Sequence, residues 1–202
     1  HSFSPFVVRR KDVPDITFGW TMNLPRRLSD DEAAAMDALN HILNGTLHSR
    51  IQGEARTKGL VYGIWSETSA SEHNSSWDFG AAVELDKMDK LFDLIVREVK
   101  RVQEGDLSDQ EIEDAKKYAL GRHQMGIQTV GQLNNWLSNR YFFDGRLEDF
   151  SARPERIKAI TRERIIDTAR DFFAANCWGL GLYSNTEKAV AERLNEKLEK
   201  LF

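Results

Sequence analysis

Cysteine is nearly absent from the chain. Cys177 is the one thiol in 202 residues, so no disulfide can form within it. Its neighbours Trp178, Gly179, Leu180, Gly181 and Leu182 are apolar, so the expectation is a buried thiol that packs as a small hydrophobe. Long apolar runs are missing too, none approaching the ~18 residues of a membrane span. Nor is there an excess of positive charge: 28 Lys and Arg against 32 Asp and Glu give a net charge of −4. The two signs are interleaved, which argues against nucleic acid or an anionic membrane as partner, since both demand a basic surface. His1 to Phe6 lack the basic, apolar and small-residue order of a signal peptide. A chain that opens on His rather than Met reads as processed or excised, so any upstream address is out of sight. The expectation is a soluble chain; its compartment is left open, with the cytoplasm favoured.

What is present reads as one domain over residues 1–202. The apolar fraction of 41% and charged fraction of 30% are ordinary for a globular chain, and a chain of this length buries roughly 70% of its unfolded surface. No linker or low-complexity segment divides it, and Asp149 to Glu155, around Pro154, reads as an internal loop. Phe6 to Arg9 and Ile16 to Leu24 are predicted strands, the second with Ile16, Phe18 and Trp20 alternating with Thr17, Gly19 and Thr21. Ser29-Asp30-Asp31-Glu32 is a capping box opening a helix through Met36, Leu39, Ile42 and Leu43, stopped at Asn44-Gly45. A short helix is predicted over Leu47 to Arg56, a strand over Leu60 to Thr68, a turn at Ser69 to Asn74 and a partner strand over Ser75 to Glu84.

Met88, Leu91, Phe92, Ile95, Val99 and Val102 form a helical stripe that Gly105 ends. Ser108-Asp109-Gln110-Glu111 is a second capping box, opening a helix with Ile112, Ala115 and Tyr118. Further helices are predicted over Ile127 to Tyr141 with Gly145 closing, after Thr161 with Ile165, Ile166, Ala169, Phe172 and Phe173 buried, and from Asn185 with Val190, Leu194, Leu198 and Leu201 inward. Cys177 to Tyr183 is a predicted strand. This order gives an α+β fold with a mixed, largely antiparallel sheet layered by helices.

Chemistry is sparse. The five histidines, His1, His41, His48, His73 and His123, belong to neither His-x-x-Glu-His nor His-Glu-x-x-His. The break at Asn44-Gly45 separates His41 from His48, and Glu72-His73 reads as a solvated turn. There is no Gly-x-Ser-x-Gly elbow, and Gly179-Leu180-Gly181 lacks the third glycine of a dinucleotide loop. Capping accounts for the paired acids of the two capping boxes. One junction stands apart. In Leu47-His48-Ser49-Arg50-Ile51-Gln52-Gly53-Glu54-Ala55-Arg56-Thr57-Lys58-Gly59-Leu60-Val61-Tyr62, Arg56 falls at a helix end and Tyr62 two residues into the following strand. Two long donors placed there can hold a peptide carbonyl or a developing oxyanion. Alternatively Arg50, Arg56 and Lys58 complement a helix C-terminus.

Ser49-Arg50-Ile51 through Glu54-Ala55-Arg56-Thr57-Lys58-Gly59-Leu60-Val61-Tyr62 resembles the Ser-Arg-Leu … Leu-Arg-Glu-Lys-Arg-Gly-Leu-Ala-Tyr signature of the M16, or pitrilysin-type, metallopeptidases. These include pitrilysin, the insulin-degrading enzymes and the mitochondrial processing peptidases. The order of capped helix, long helix from Met88, Leu107-Ser108-Asp109-Gln110-Glu111 and Ile160-Thr161-Arg162-Glu163-Arg164-Ile165 is similar as well, so the likeness covers nearly the whole chain. In such proteins one domain carries zinc on His-x-x-Glu-His and a companion of similar size lacks it.

The resemblance therefore implies a non-catalytic, C-terminal-type half. It would bind no cofactor itself and have no activity alone, with zinc in a partner half on the same polypeptide or a separate subunit. There the zinc would activate water against a peptide bond. This half would close the chamber, offer strand edges to a peptide substrate, and contribute Arg56 and Tyr62 to substrate and transition-state contacts. Another reading is a scaffold or complex subunit inactive in every copy. From Arg to Tyr the family takes seven steps and this chain six, a shortening around Lys58-Gly59 that leans toward the scaffold.

Overall fold

Ile16, Phe18, Trp20, Met22 and Leu24 are buried and the residues between them are not, and that alternation makes β2 (Ile16–Leu24) the middle strand of a sheet. In the computed structural model, residues 2–9, 15–145, 147, 149–174 and 177–202 are described, the side chains of 143 and 144 excepted. The strands β1 (Phe6–Arg9), β2, β3 (Trp65–Ala70), β4 (Ser75–Val83) and β5 (Cys177–Ser184) form one sheet in the order β1-β5-β2-β4-β3. β1 runs parallel to β5 and every other pair is antiparallel, so the mixed, largely antiparallel sheet is as expected.

The helices are α1 (Asp30–Asn40), continued by a π turn over His41–Gly45, then α2 (Arg50–Thr57), α3 (Met88–Gln103), α4 (Asp109–Met125), α5 (Val130–Asp144), α6 (Ala152–Lys158), α7 (Arg162–Ala174) and α8 (Lys188–Leu198). Both capping boxes hold: Ser29 caps α1 with Glu32, and Ser108 caps α4 with Glu111. A third, Thr129 with Gln132, opens α5, so that helix starts at Val130 and not at Ile127. The region around Pro154 is helix α6 and not a loop. Pro154 is its third residue, within the first turn, where an absent N–H costs no helical bond.

One face of the sheet is aromatic and covered. Phe18 meets Phe92 of α3 edge-on at 5.0 Å, Trp20 stacks on Phe79 at 5.3 Å, and Trp77 touches Phe172 and Phe173 of α7 at 6.3 and 5.9 Å. Leu194, Leu198 and Leu201 complete the layer from the C-terminal side, with Val190 half-buried at its rim. The other face is small and polar, carrying Thr17, Gly19, Thr21 and Asn23 on β2 and Ser76, Asp78, Gly80 and Ala82 on β4. Cys177 lies on this second face and is half-buried, because alternation along β5 sends Trp178, Leu180 and Leu182 into the core instead.

β3 departs from expectation: it begins at Trp65, and Leu60 to Ile64 form a loop. Leu60, Val61 and Ile64 are apolar because they plug the core beneath that loop, at 7%, 8% and 6% exposure. The edge of β3 is held from α1 and the π turn. Asn44 Nδ2 donates to Ile64 O at 3.1 Å, Asn40 Nδ2 to Ser66 O at 3.4 Å, and Trp77 Nε1 to Asn40 Oδ1 at 2.9 Å. Trp77→Phe should therefore leave a cavity and break the indole–Asn40 link. We expect about 2 kcal/mol lost, read as a lower urea midpoint at unchanged m-value; an unchanged midpoint would show that Trp77 is not central to the packing.

Candidate functional site

α2 is short, and charge pairs reinforce the packing of its buried Ile51 and Ala55. Arg50, its first residue, reaches Glu111 through Nε at 2.5 Å and NH2 at 2.7 Å, a two-pronged pair that also joins α4. Glu111 accepts the Ser108 N–H at 2.9 Å as well, so one carboxylate serves both as helix cap and as ion-pair partner. Glu98 of α3 is 2% exposed; Arg97 Nε donates to it at 2.8 Å and Arg101 NH1 at 2.9 Å, with Arg50 NH1 3.9 Å away. Glu54 of α2 takes Arg97 NH2 at 2.5 Å and Lys58 Nζ at 2.6 Å. Arg50 thus opens the helix and ties it to α3 and α4, rather than complementing a helix C-terminus. Burial raises the pKa of Glu111, but the bonds from Arg50 and Ser108 outweigh it and hold the group at about 2.

The far end of α2 turns sharply. Gly59 adopts φ 63°, the left-handed conformation that favours glycine. Gly59 N–H bonds Arg56 O at 3.0 Å and Leu60 N–H bonds Ala55 O at 2.8 Å, the paired bonds of a Schellman motif. Buried Leu60 and Val61 then fix the returning chain, and Tyr62 emerges at 86% exposure beside the last helical turn. Arg56 NH1 donates to Tyr62 O at 2.9 Å, and its Cζ lies 4.8 Å from the Tyr62 ring centroid. The two residues singled out from the sequence are therefore in contact. Tyr62 stands in a loop and not in a strand, since the turn at Gly59 and the core plug postpone β3 to Trp65.

The other candidates lie apart. His41, in the π turn, stacks on Tyr118 at 4.1 Å; burial lowers its pKa, opposed by Asp114. His123 stacks on Phe150 at 3.8 Å, and exposed His73 stands 3.9 Å from Glu72. Among the described residues no group of three or more His, Cys, Asp and Glu could hold a metal ion, so these side chains do not fit a zinc site. No described helix is long and apolar enough to cross a membrane. A cavity of about 670 Å³, walled by Asp37, His41, Asn44, Tyr118 and Trp136, opens beside β3. Its walls come from segments distant in the chain, so no local pattern announces it.

A profile of the family described as "Peptidase M16 inactive domain" matches residues 1–118. An uncharacterized zinc protease of Streptomyces coelicolor is 27% identical over 144 residues, covering 71% of this chain and 31% of that protein. Among solved structures, a peptidase M16 inactive domain from Pseudomonas fluorescens superposes at TM-score 0.72 and 17% identity, covering 92% of this chain and 44% of that one. A chain of Complex III2 from Candida albicans superposes at 0.76 and 13% identity, covering 96% and 49%. The chain thus spans about a third of the curated relative and less than half of each of these two structures.

The charge network predicts an acid limb of stability. Glu111 and Glu32, the latter lowered chiefly by its bond from Arg26, both have folded pKa values of about 2 against an ordinary 4.5. Their stabilisation is full above pH 4.5 and is lost as pH falls toward 2. Urea midpoints measured from pH 5 to 2.5 should fall, and Glu111→Gln should flatten the fall. Arg50→Met, which strands part-buried Glu111 and weakens the surroundings of Glu98, should cost about 2–3 kcal/mol at pH 7.

Proposed function

Because the chain belongs to the peptidase M16 inactive-domain family, we propose that residues 1–202 form one such domain, working as the auxiliary half of a zinc-dependent endopeptidase. In this reading it closes the chamber in which the peptide substrate lies. The metal and the activation of water belong to the companion half, on the same polypeptide or on a separate subunit. This half contributes a wall and the Arg56–Tyr62 pair.

The observation that carries the reading is the presentation of Tyr62. A phenol at 86% exposure is held between the buried Leu60 and Val61 and the guanidinium of Arg56, so it is presented to solvent in a fixed position. Its hydroxyl can donate to a peptide carbonyl and keep donating as negative charge grows on that oxygen. Arg56 spends one donor on the Tyr62 carbonyl and lies over the ring, so it orients the phenol and offers its remaining donors to the same substrate. The six-step spacing from Arg56 to Tyr62 is accommodated by the Gly59 turn, which still brings the two together.

A second reading, a scaffold inactive in every copy, draws on the same contact: Arg56 bonded within its own loop acts as a brace. Turnover separates the two. Joined to its zinc-bearing half, Tyr62→Phe should lower kcat by about 10- to 100-fold, the effect of losing one transition-state donor, and should change KM less. Unchanged kcat removes Tyr62 from the reaction and favours the scaffold. The 202-residue chain alone should neither cleave peptides nor carry stoichiometric zinc by elemental analysis; one zinc per chain would overturn the division of labour.

A further inference from the structure

A transverse row of the sheet reads Trp65, Gly80, Gly19, Gly181, Phe6, one residue from each strand from edge to edge. All five lie on the small, polar face, which the core helices leave open. A Cβ at Gly80 would fall 2.2 Å from the Trp65 ring and one at Gly181 would fall 2.5 Å from the Phe6 ring, so both rings lie down over glycine backbone. Above Gly19, between them, nothing lies within 4 Å. Trp65 is 53% exposed and Phe6 59%, which makes them the walls of a trough whose floor is the bare backbone of β2.

Gly80 and Gly181 are explained by the rings that cover them. Gly19 is not. A central strand is weakened by glycine, and alanine would fit there without contact, so no close approach among the described residues accounts for Gly19. Two residues along, Glu67 and Asp78 lie directly opposite each other on the same face. Like charges so placed repel. Asp78 accepts a bond from Ser76 Oγ at 2.9 Å, and among the described residues neither carboxylate has a cationic partner.

We propose that this trough binds an extended peptide, seating one apolar or aromatic side chain over Gly19 between Trp65 and Phe6, and a Lys or Arg two residues away against Glu67 and Asp78. Alternate residues of an extended chain are about 6.8 Å apart, which matches the two rows. The floor admits a ring because it has no Cβ, and the carboxylate pair supplies the charge that a basic residue complements. This rests on the peptide-handling role above and adds the class of peptide it prefers.

The test is calorimetric titration of the 202-residue chain with acetyl-Ala-Ala-Phe-Ala-Lys-Ala-Ala-amide. Two controls replace Lys by Glu or Phe by Ala. The Glu and Ala peptides should each bind at least about fivefold more weakly. Gly19→Leu should fill the trough and weaken the Phe-Ala-Lys peptide at least about tenfold with no fall in Tm. The exposed double change Glu67→Gln with Asp78→Asn, which leaves the core untouched, should abolish the preference for Lys over Glu while retaining the Phe preference.

Equal affinity for the three peptides, or indifference to Gly19→Leu, overturns the proposal. So does an absence of peptide binding in which Gly19→Leu instead weakens association with the companion half, because the face then belongs to that half. The trough is read by the peptide affinities of this chain and the Tyr62 role by turnover of the joined enzyme, so failure of the one and failure of the other are read separately.

Discussion

Glu98 sits in α3 at 2% exposure, and a carboxylate buried to that degree persists only where cations converge on it. Arg97 and Arg101 do so from its own helix, and Arg50 brings the first turn of α2 to within 3.9 Å. Much else depends on this junction. Arg50 engages Glu111, and Glu111 caps α4. Arg97 extends to Glu54, which fixes the middle of an eight-residue helix too short to hold itself in water. The end of that helix determines where the Gly59 turn begins and hence where Tyr62 emerges. An exposed phenol is thus positioned by the ion pairs that hold α2, by the left-handed turn at Gly59 and by the buried Leu60 and Val61.

The sheet divides its labour by face. Toward the helices it presents Phe18, Trp20, Trp77 and Phe79, which stack across strands and onto α3 and α7. Away from them most residues are small or polar; Tyr183 stands on β5, while Trp65 and Phe6, on the edge strands, lean inward over glycines. Such ring-over-glycine contacts recover buried area for strands that would otherwise be weak. The same device leaves the middle of the face recessed.

Much of this was legible in the sequence and some was not, for identifiable reasons. Strict alternation from Ile16 to Leu24 marked the central strand, and Ser-x-x-Glu marked two helix starts, because both signals are local. Thr129-x-x-Gln132 obeys the same capping rule, yet apolar Ile127 ahead of it suggested an earlier start. Leu60, Val61 and Ile64 look like strand because apolar residues of a core-plugging loop and of a ladder are indistinguishable by pattern. The Arg50–Glu111 pair spans 61 positions and leaves no trace in any window. Arg56 and Tyr62 drew notice as a junction of donors, but it was resemblance to a family signature that set them above the alternative, since exposed polar residues carry no periodicity.

Asn40 and Asn44 have a further consequence. An edge strand with free carbonyls invites another chain to pair with it, and repeated pairing leads to insoluble assemblies. The two amides already occupy the carbonyls of Ser66 and Ile64, so a second copy approaching β3 must first displace bonds that the same side chains share with Ser66 Oγ and the Trp77 indole. Self-recruitment at this edge is thereby penalised where the strand begins.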